Sequence, residues 1–159
     1  MSQLTEELRI LIEDEGSIYD IDFTDDELTK YLNKYRGYLE DYPLSPENYY
    51  TWISPFKYLD NRSLSDGTAE ISEDEYTADD INGIYQFAEE QSAVYITANY
   101  YDLYKTASEI WLVRAARAKF SGKTQLGDEV IPMDKYNREY CIQKYWDLSL
   151  SESIQMERE

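Results

Sequence analysis

Apolar and polar positions alternate with two different periods along this chain, and the longer one dominates. Leu4, Leu8, Leu11 and Ile12 fall at i, i+4, i+7 and i+8, which predicts a helix over about Leu4 to Asp14 ended by Gly16. A second helix has the clearest start. Thr24 stands three residues before Glu27, the spacing of a capping box, and Phe23 and Leu28 flank the cap as a hydrophobic staple. Leu28, Tyr31, Leu32, Tyr35 and Leu39 supply its apolar face, and Gly37 and Pro43 place its end between Arg36 and Glu40. The longest stretch poor in acid runs from Ser92 to Phe120. Val94 to Thr97 is strand-like, and from Tyr101 the residues Leu103, Ala107, Ile110 and Trp111 take up helical spacing. Small residues (Ala107, Ala115, Ala116, Ala118) let a second helix approach this one closely. A last helix is predicted over about Asp134 to Leu148, with Tyr136, Tyr140, Cys141, Lys144, Tyr145 and Leu148 marking its face.

Between the helical segments the pattern is weaker. Pro43, Pro46 and Pro55 bar a long helix from Tyr42 to Tyr58, although Ser45-Pro46-Glu47 has the form of a short helix start. Tyr49, Tyr50, Trp52, Ile53 and Phe56 make an aromatic cluster, read either as a plug over the core or as a subunit contact. Arg62 to Asp80 is polar and acidic and reads as a loop, with a short strand around Thr68 to Ile71. Asp79, Asp80 and Asn82-Gly83 form a turn signal ahead of Ile84 to Ala88, which is expected to pair with Ala93 to Thr97 as a hairpin. A lone hairpin is marginal in water, so it needs a further strand from this chain or another. Gly127 to Pro132 reads as a surface loop. Ser149 to Glu159 is a polar tail anchored by Leu150, Ile154 and Met156. The expected fold is therefore mainly α: a bundle of about four helices with a small β-hairpin and an extended C-terminal tail. The expected organisation is one domain over 1–148, with an inserted loop region at 42–77 and the tail at 149–159.

Composition changes this picture in two ways. Of 159 residues, 33 are acidic, 15 are basic and none is histidine, for a net charge of -18. Such a chain repels nucleic acid and anionic membranes at long range. The charge is lopsided: residues 1–90 hold 23 acids and 6 bases, residues 91–159 hold 10 and 9. One acidic side and one contact-making side in an assembly would give this asymmetry. The 17 tyrosines suit half-buried surfaces and interfaces. With one cysteine, Cys141, no internal disulfide is expected, and no signal peptide or membrane span is read from the sequence.

Candidate chemistry is thin. The lack of histidine removes the commonest general base and every imidazole metal site. Gly122-Lys123-Thr124 resembles the end of a phosphate loop, but Arg117 stands where its first glycine belongs. Asp20 to Tyr31 departs from a calcium loop at two positions, with Asp25 at the sixth and Tyr31 at the twelfth. No catalytic residue, cofactor site or metal site is nominated, and the chain is not expected to be an enzyme.

Three phrases carry a family resemblance: Leu8-Arg9-Ile10-Leu11-Ile12-Glu13-Asp14 followed by Phe23-Thr24-Asp25-Asp26-Glu27-Leu28, the pair Ile84 to Ala88 and Ala93 to Thr97, and Tyr101-Asp102-Leu103-Tyr104 running into an alanine-rich helix with Trp111. Together they resemble the head-tail connector (adaptor) proteins of tailed bacteriophages. The likeness covers the helical segments and covers Tyr42 to Thr77 poorly. It implies a virion protein at the head-tail interface, present in the host cytoplasm during assembly. It implies a ring of about twelve copies with cyclic symmetry. The ring would join the portal protein to the next neck or tail protein, with DNA passing through it unbound. Leu150, Ile154 and Met156 are the expected portal contacts, and Trp52, Phe56, Tyr85, Phe87 and Tyr95 the expected contacts between copies. The alternative on charge alone is an acidic DNA mimic that occupies the DNA site of a host enzyme.

Overall fold

The computed structural model describes residues 2–14, 22–120, 124–126, 129–131 and 138–157, with side chains described within 2–14, 22–117 and 138–150. The chain forms two compact units, Met1–Leu4 with Leu32–Asp102, and Thr5–Tyr31 with Leu103–Glu159. The expectation of a mainly α bundle is wrong. Strand makes up 30% and helix 43% of the structure, with one sheet of three strands and one of four, so the fold is mixed α/β.

The first unit is a β structure. Its three-stranded antiparallel sheet has the order β1 (Arg36–Pro43), β7 (Tyr95–Tyr101), β4 (Leu59–Ser65). Its four-stranded sheet has the order β2 (Ser45–Pro46), β3 (Thr51–Ile53), β6 (Ile84–Phe87), β5 (Tyr76–Asp79), again antiparallel throughout. The predicted hairpin of Ile84 to Ala88 with Ala93 to Thr97 does not form. β6 and β7 lie in different sheets, and each finds two partners within the unit. The inward residues of both sheets share one core, among them Leu39, Leu64, Trp52, Tyr85, Phe87 and Ile96.

Two β-bulges explain why the pattern of this unit was misread. β1 has one extra residue between its pairs Leu39–Ala98 and Tyr42–Ile96, and β4 has one between Asp60–Asn99 and Ser63–Thr97. Asp41 (φ 45°) and Asn61 (φ 52°) carry the left-handed conformation at these points. Strict alternation keeps same-face residues an even number apart. The bulges instead let Leu39 and Leu44, and Leu59 and Leu64, each five apart, all point inward. Asp41 donates its N–H to the Thr97 Oγ1 at 3.1 Å, which ties the first bulge to the central strand. The predicted second helix thus ends early, at Lys34, and Leu39 belongs to β1. Gly37 pairs with Tyr100, and a methyl group at position 37 would overlap the Tyr100 ring. The region 42–77, expected to be loop, supplies β2, β3, β4 and the start of β5.

The second unit is helical: α1 (Ser2–Ile12, all but its first turn), α2 (Asp25–Lys34, up to Tyr31), α3 (Leu103–Phe120) and α4 (Arg138–Glu157). Its short hairpin of β8 (Thr124–Leu126) and β9 (Glu129–Ile131) stands where a surface loop was expected from Gly127. The capping box forms as predicted: Thr24 N–H donates to Glu27 Oε2 at 2.8 Å, and Glu27 N–H to Thr24 Oγ1 at 3.3 Å. Phe23 and Leu28 are both buried. Gly16 lies outside the described residues. α1 closes before it with a Schellman turn, Asp14 N–H to Arg9 O at 2.9 Å and Glu13 N–H to Ile10 O at 3.2 Å, with Glu13 at φ 54°. α4 is described from Arg138 through Glu157, its predicted start at Asp134 lying outside the described residues, and Ser149 to Glu157 is helix rather than extended tail.

Candidate functional site

Among the described residues no group of three or more metal-ligating side chains is placed to hold an ion, and no helix is long and apolar enough to cross a membrane. Two of the charged clusters, one in each unit, hold buried or half-buried carboxylates.

In the first unit Arg62 rises from the bulge of β4. Its Nε donates to Asp80 Oδ1 at 2.6 Å and an Nη to the Tyr76 hydroxyl at 2.7 Å, with the guanidinium 5.3 Å from the Tyr76 ring centre. The Tyr85 hydroxyl donates to the same Asp80 oxygen at 3.0 Å. Burial, reinforced by Asp80, raises the Tyr85 pKa far above the ordinary tyrosine range. Burial works against the Arg62 charge, but the charge and hydrogen bond of Asp80 outweigh it and raise the Arg62 pKa. A tyrosine held this firmly in its neutral form is a poor general base or nucleophile. It serves as a hydrogen-bond donor that satisfies a half-buried carboxylate.

In the second unit the carboxylate of Asp14 is fully buried. It accepts the N–H groups of Asp22 at 2.8 Å and Phe23 at 3.2 Å, and pairs with Arg9 at 2.9 Å and Arg114 at 3.6 Å. Arg114 also pairs with Asp22 at 3.1 Å, lies 4.7 Å from the Trp111 ring centre and donates to the Ile12 carbonyl. Trp111 donates its Nε1–H to the Leu11 carbonyl at 3.1 Å. The last carbonyls of a helix have no partner within it. Here α3 supplies two, one to Leu11 and one to Ile12. Leu11, Ile12, Asp14, Asp22 and Phe23 are thereby fastened to α3 by hydrogen bonds, charge and cation–π contact.

Among the described residues of this unit, α4 carries an exposed apolar pair beside a packed face. One face packs on α3: Cys141 is buried against Trp111 and Ala115, with Ile142, Tyr145 and Leu148 beside it. α4 is also tied to the end of α1. Lys144 Nζ lies 2.9 Å from Glu13, and the Tyr140 hydroxyl donates to the same carboxylate at 2.8 Å. The other face carries Trp146, 56% exposed, and Leu150, 61% exposed, one helical turn apart. Trp146 leans edge-on against Tyr145 with ring centres 5.2 Å apart, so its outward position is braced. Ile154 occupies the next position of the same helical row.

No protein-family model matches the chain, and no curated protein matches it.

The structure sorts the residues named from sequence. Leu150 is exposed on the outer row of α4, with Ile154 and Met156 further along the same helix. Trp52, Tyr85 and Phe87 are core side chains of the first unit, Phe56 packs against that core, and Tyr95 is half-buried. Burial leaves Trp52, Tyr85 and Phe87 little surface to give a contact between copies, while Phe56 and Tyr95 keep part of theirs. Sequence reasoning missed Trp146. The signal was present, since Trp146, Leu150 and Ile154 stand at i, i+4 and i+8. It was hidden because the helix was ended at Leu148.

Proposed function

We propose that this chain is a structural subunit of a bacteriophage head-tail connector, and that the outer row of α4 is its contact with the portal protein. The observation that carries the reading is the exposed, braced pair Trp146 and Leu150 on a helix whose opposite face is already satisfied. Tryptophan and leucine in that position lose about 1.5–3 kcal/mol each of possible burial, which a partner surface would recover. An amphipathic helix laid into a groove is a common way for one protein to recognise another. The rest of the reading follows from charge. A subunit of net charge -18 repels DNA phosphates, so DNA would slide through a ring of such subunits without sticking.

The test is association with portal. The chain is expressed with the portal protein of the same phage and recovered by affinity to portal. Wild-type chain is expected to co-purify. The double variant Trp146→Ala with Leu150→Ala, and a chain ending at Leu148, are expected to fold and to be lost from the complex. Normal virion yield and normal portal association by both variants would refute the reading. Binding of the free chain to a basic host enzyme in place of portal would favour the DNA-mimic alternative.

A further inference from the structure

The hairpin between β2 and β3 ends in two adjacent tyrosines, Tyr49 and Tyr50, that are 67% and 46% exposed. Exposed tips are usually the loosest parts of a β fold. This one is fixed. Asn48 Oδ1 accepts the N–H groups of Tyr50 and Thr51, both at 2.8 Å. The Tyr49 carbonyl accepts the Gln91 N–H at 2.9 Å, and the Tyr50 carbonyl accepts the Phe87 N–H at 2.8 Å. The Tyr50 hydroxyl donates to Glu90 Oε1 at 3.2 Å, which sets a carboxylate at the end of its ring. Glu47 and Glu89 are exposed on the same two loops. These loops come from stretches without cations, as residues 37–56 and 63–104 contain no lysine or arginine.

We propose that the Tyr49–Tyr50 tip is a docking site for an arginine-bearing segment of another protein, the guanidinium stacking on a tyrosine face and pairing with Glu90. Two exposed aromatic faces, that of Tyr50 held by its hydroxyl to Glu90, offer a guanidinium both of its preferred contacts, cation–π stacking and a charged acceptor. Arginine suits this better than lysine, because its planar group stacks and donates in the same pose. The backbone is already ordered, so binding costs little conformational entropy at the tip. The surface lies wholly in the first unit and is independent of the α4 row, so this proposal does not rest on the connector reading.

The test uses the full chain and three dye-labelled peptides of equal length, one of alternating glycine and arginine, one of glycine and lysine, and one rich in proline. Fluorescence anisotropy is read at about 0.15 M salt, where long-range attraction is screened. The parent chain is expected to bind the arginine peptide several-fold tighter than the lysine peptide and to ignore the proline peptide. Tyr49→Ala with Tyr50→Ala is expected to weaken arginine binding about tenfold or more, the scale of losing an aromatic anchor. Tyr49→Phe is expected to keep most of it, and Glu90→Gln to lose about threefold or more, in proportion to one charged contact. Glu73→Gln with Asp74→Asn, which removes two charges elsewhere in the unit, is expected to leave binding within about twofold. No binding by the parent, equal binding of arginine and lysine peptides, equal binding of the proline peptide, or an alanine variant that binds like the parent would each overturn the proposal. If the alanine variant fails to fold, Glu90→Gln and Tyr49→Phe decide it alone.

Discussion

The two units solve the same problem, exposed and unfinished surface, in different ways. The first closes on itself. Its edge strands β1 and β4 are each interrupted by a bulge, and its edge strand β2 holds only Ser45 and Pro46. Bulges, prolines and short strands are the devices by which sheet edges avoid pairing with other chains. The second unit is fastened internally by a buried ionic knot, yet it carries an apolar row on α4 into solvent. The difference is in which surfaces each unit leaves apolar and exposed. Sheet extension across β1, β4 and β2 is disfavoured, while the outer row of α4 offers apolar surface to a partner.

The sharpest way to break this comparison is to remove the centre of the knot. Asp14→Ala leaves Arg114 buried beside Trp111 and Phe23 and leaves two backbone N–H groups without their acceptor. Removing one partner of a buried pair costs about 3–5 kcal/mol. Urea denaturation followed by tryptophan fluorescence is expected to show a loss of that size. A loss below about 1 kcal/mol, the scale of a surface ion pair, would show that the knot does not hold the second unit together.

The matching test in the first unit is a turn. Gly83 has φ 69°, and a Cβ there would stand 2.6 Å from the Phe56 carbonyl oxygen. Its own carbonyl accepts the Ser54 N–H at 2.8 Å, so the chain cannot easily move away. Gly83→Ala is expected to cost about 1–3 kcal/mol through strain at a left-handed position. A neutral effect on the thermal midpoint would mean that the turn relaxes freely.

Legibility in the sequence followed the same division. The second unit was largely readable. The capping box at Thr24 and Glu27, the staple of Phe23 and Leu28, and the helix around Trp111 depend on local spacing alone. The turn at Asp79 to Gly83 was readable too, because Asp79 caps the Asn82 N–H at 3.1 Å and only glycine suits the next position. The strands were not readable. A bulge shifts the inward face by one residue, so Leu39 and Leu59 lost their period-2 partners, and Leu39 instead fell four residues after Tyr35, a helical spacing. Edge strands with one wet face are polar, so Arg62 to Asp80 looked like loop. Sheet partners are set by contacts distant in sequence, and no local pattern showed that β6 and β7 would enter different sheets. The outer row of α4 was half readable: Leu150 and Ile154 were named, but as a frayed tail.

A smaller effect separates packing from hydrogen bonding in the first unit. Tyr85→Phe keeps the ring in the core and removes only the donor to Asp80, which Arg62 still holds. The expected cost is about 1 kcal/mol, the net worth of one such bond. The pH dependence gives a second readout. The folded pKa of Tyr85 is raised above the ordinary 10.0, first by burial and then by Asp80. A raised pKa means that its contribution is complete below the ordinary value and is lost as pH climbs above it. Wild-type stability is therefore expected to fall in that alkaline window, and the phenylalanine variant to fall less steeply. Parallel curves would assign the alkaline loss to other groups.

The smallest effect is the one that best isolates the open face. Leu148 and Leu150 are two leucines of one helix, the first packed toward Trp111 and Cys141 and the second facing solvent. Leu148→Ala gives up a half-buried side chain and is expected to cost about 1–2 kcal/mol. Leu150→Ala, even together with Trp146→Ala, removes little that the isolated chain has buried, and is expected to change stability by no more than about 0.5 kcal/mol. Thermal denaturation by circular dichroism distinguishes the two. A large loss from the outer pair would mean that Trp146 and Leu150 serve the fold of this chain, and the row would then have no surface left to give a partner. A neutral outer pair with a costly Leu148 leaves partner binding as the reason for keeping a tryptophan and a leucine in water.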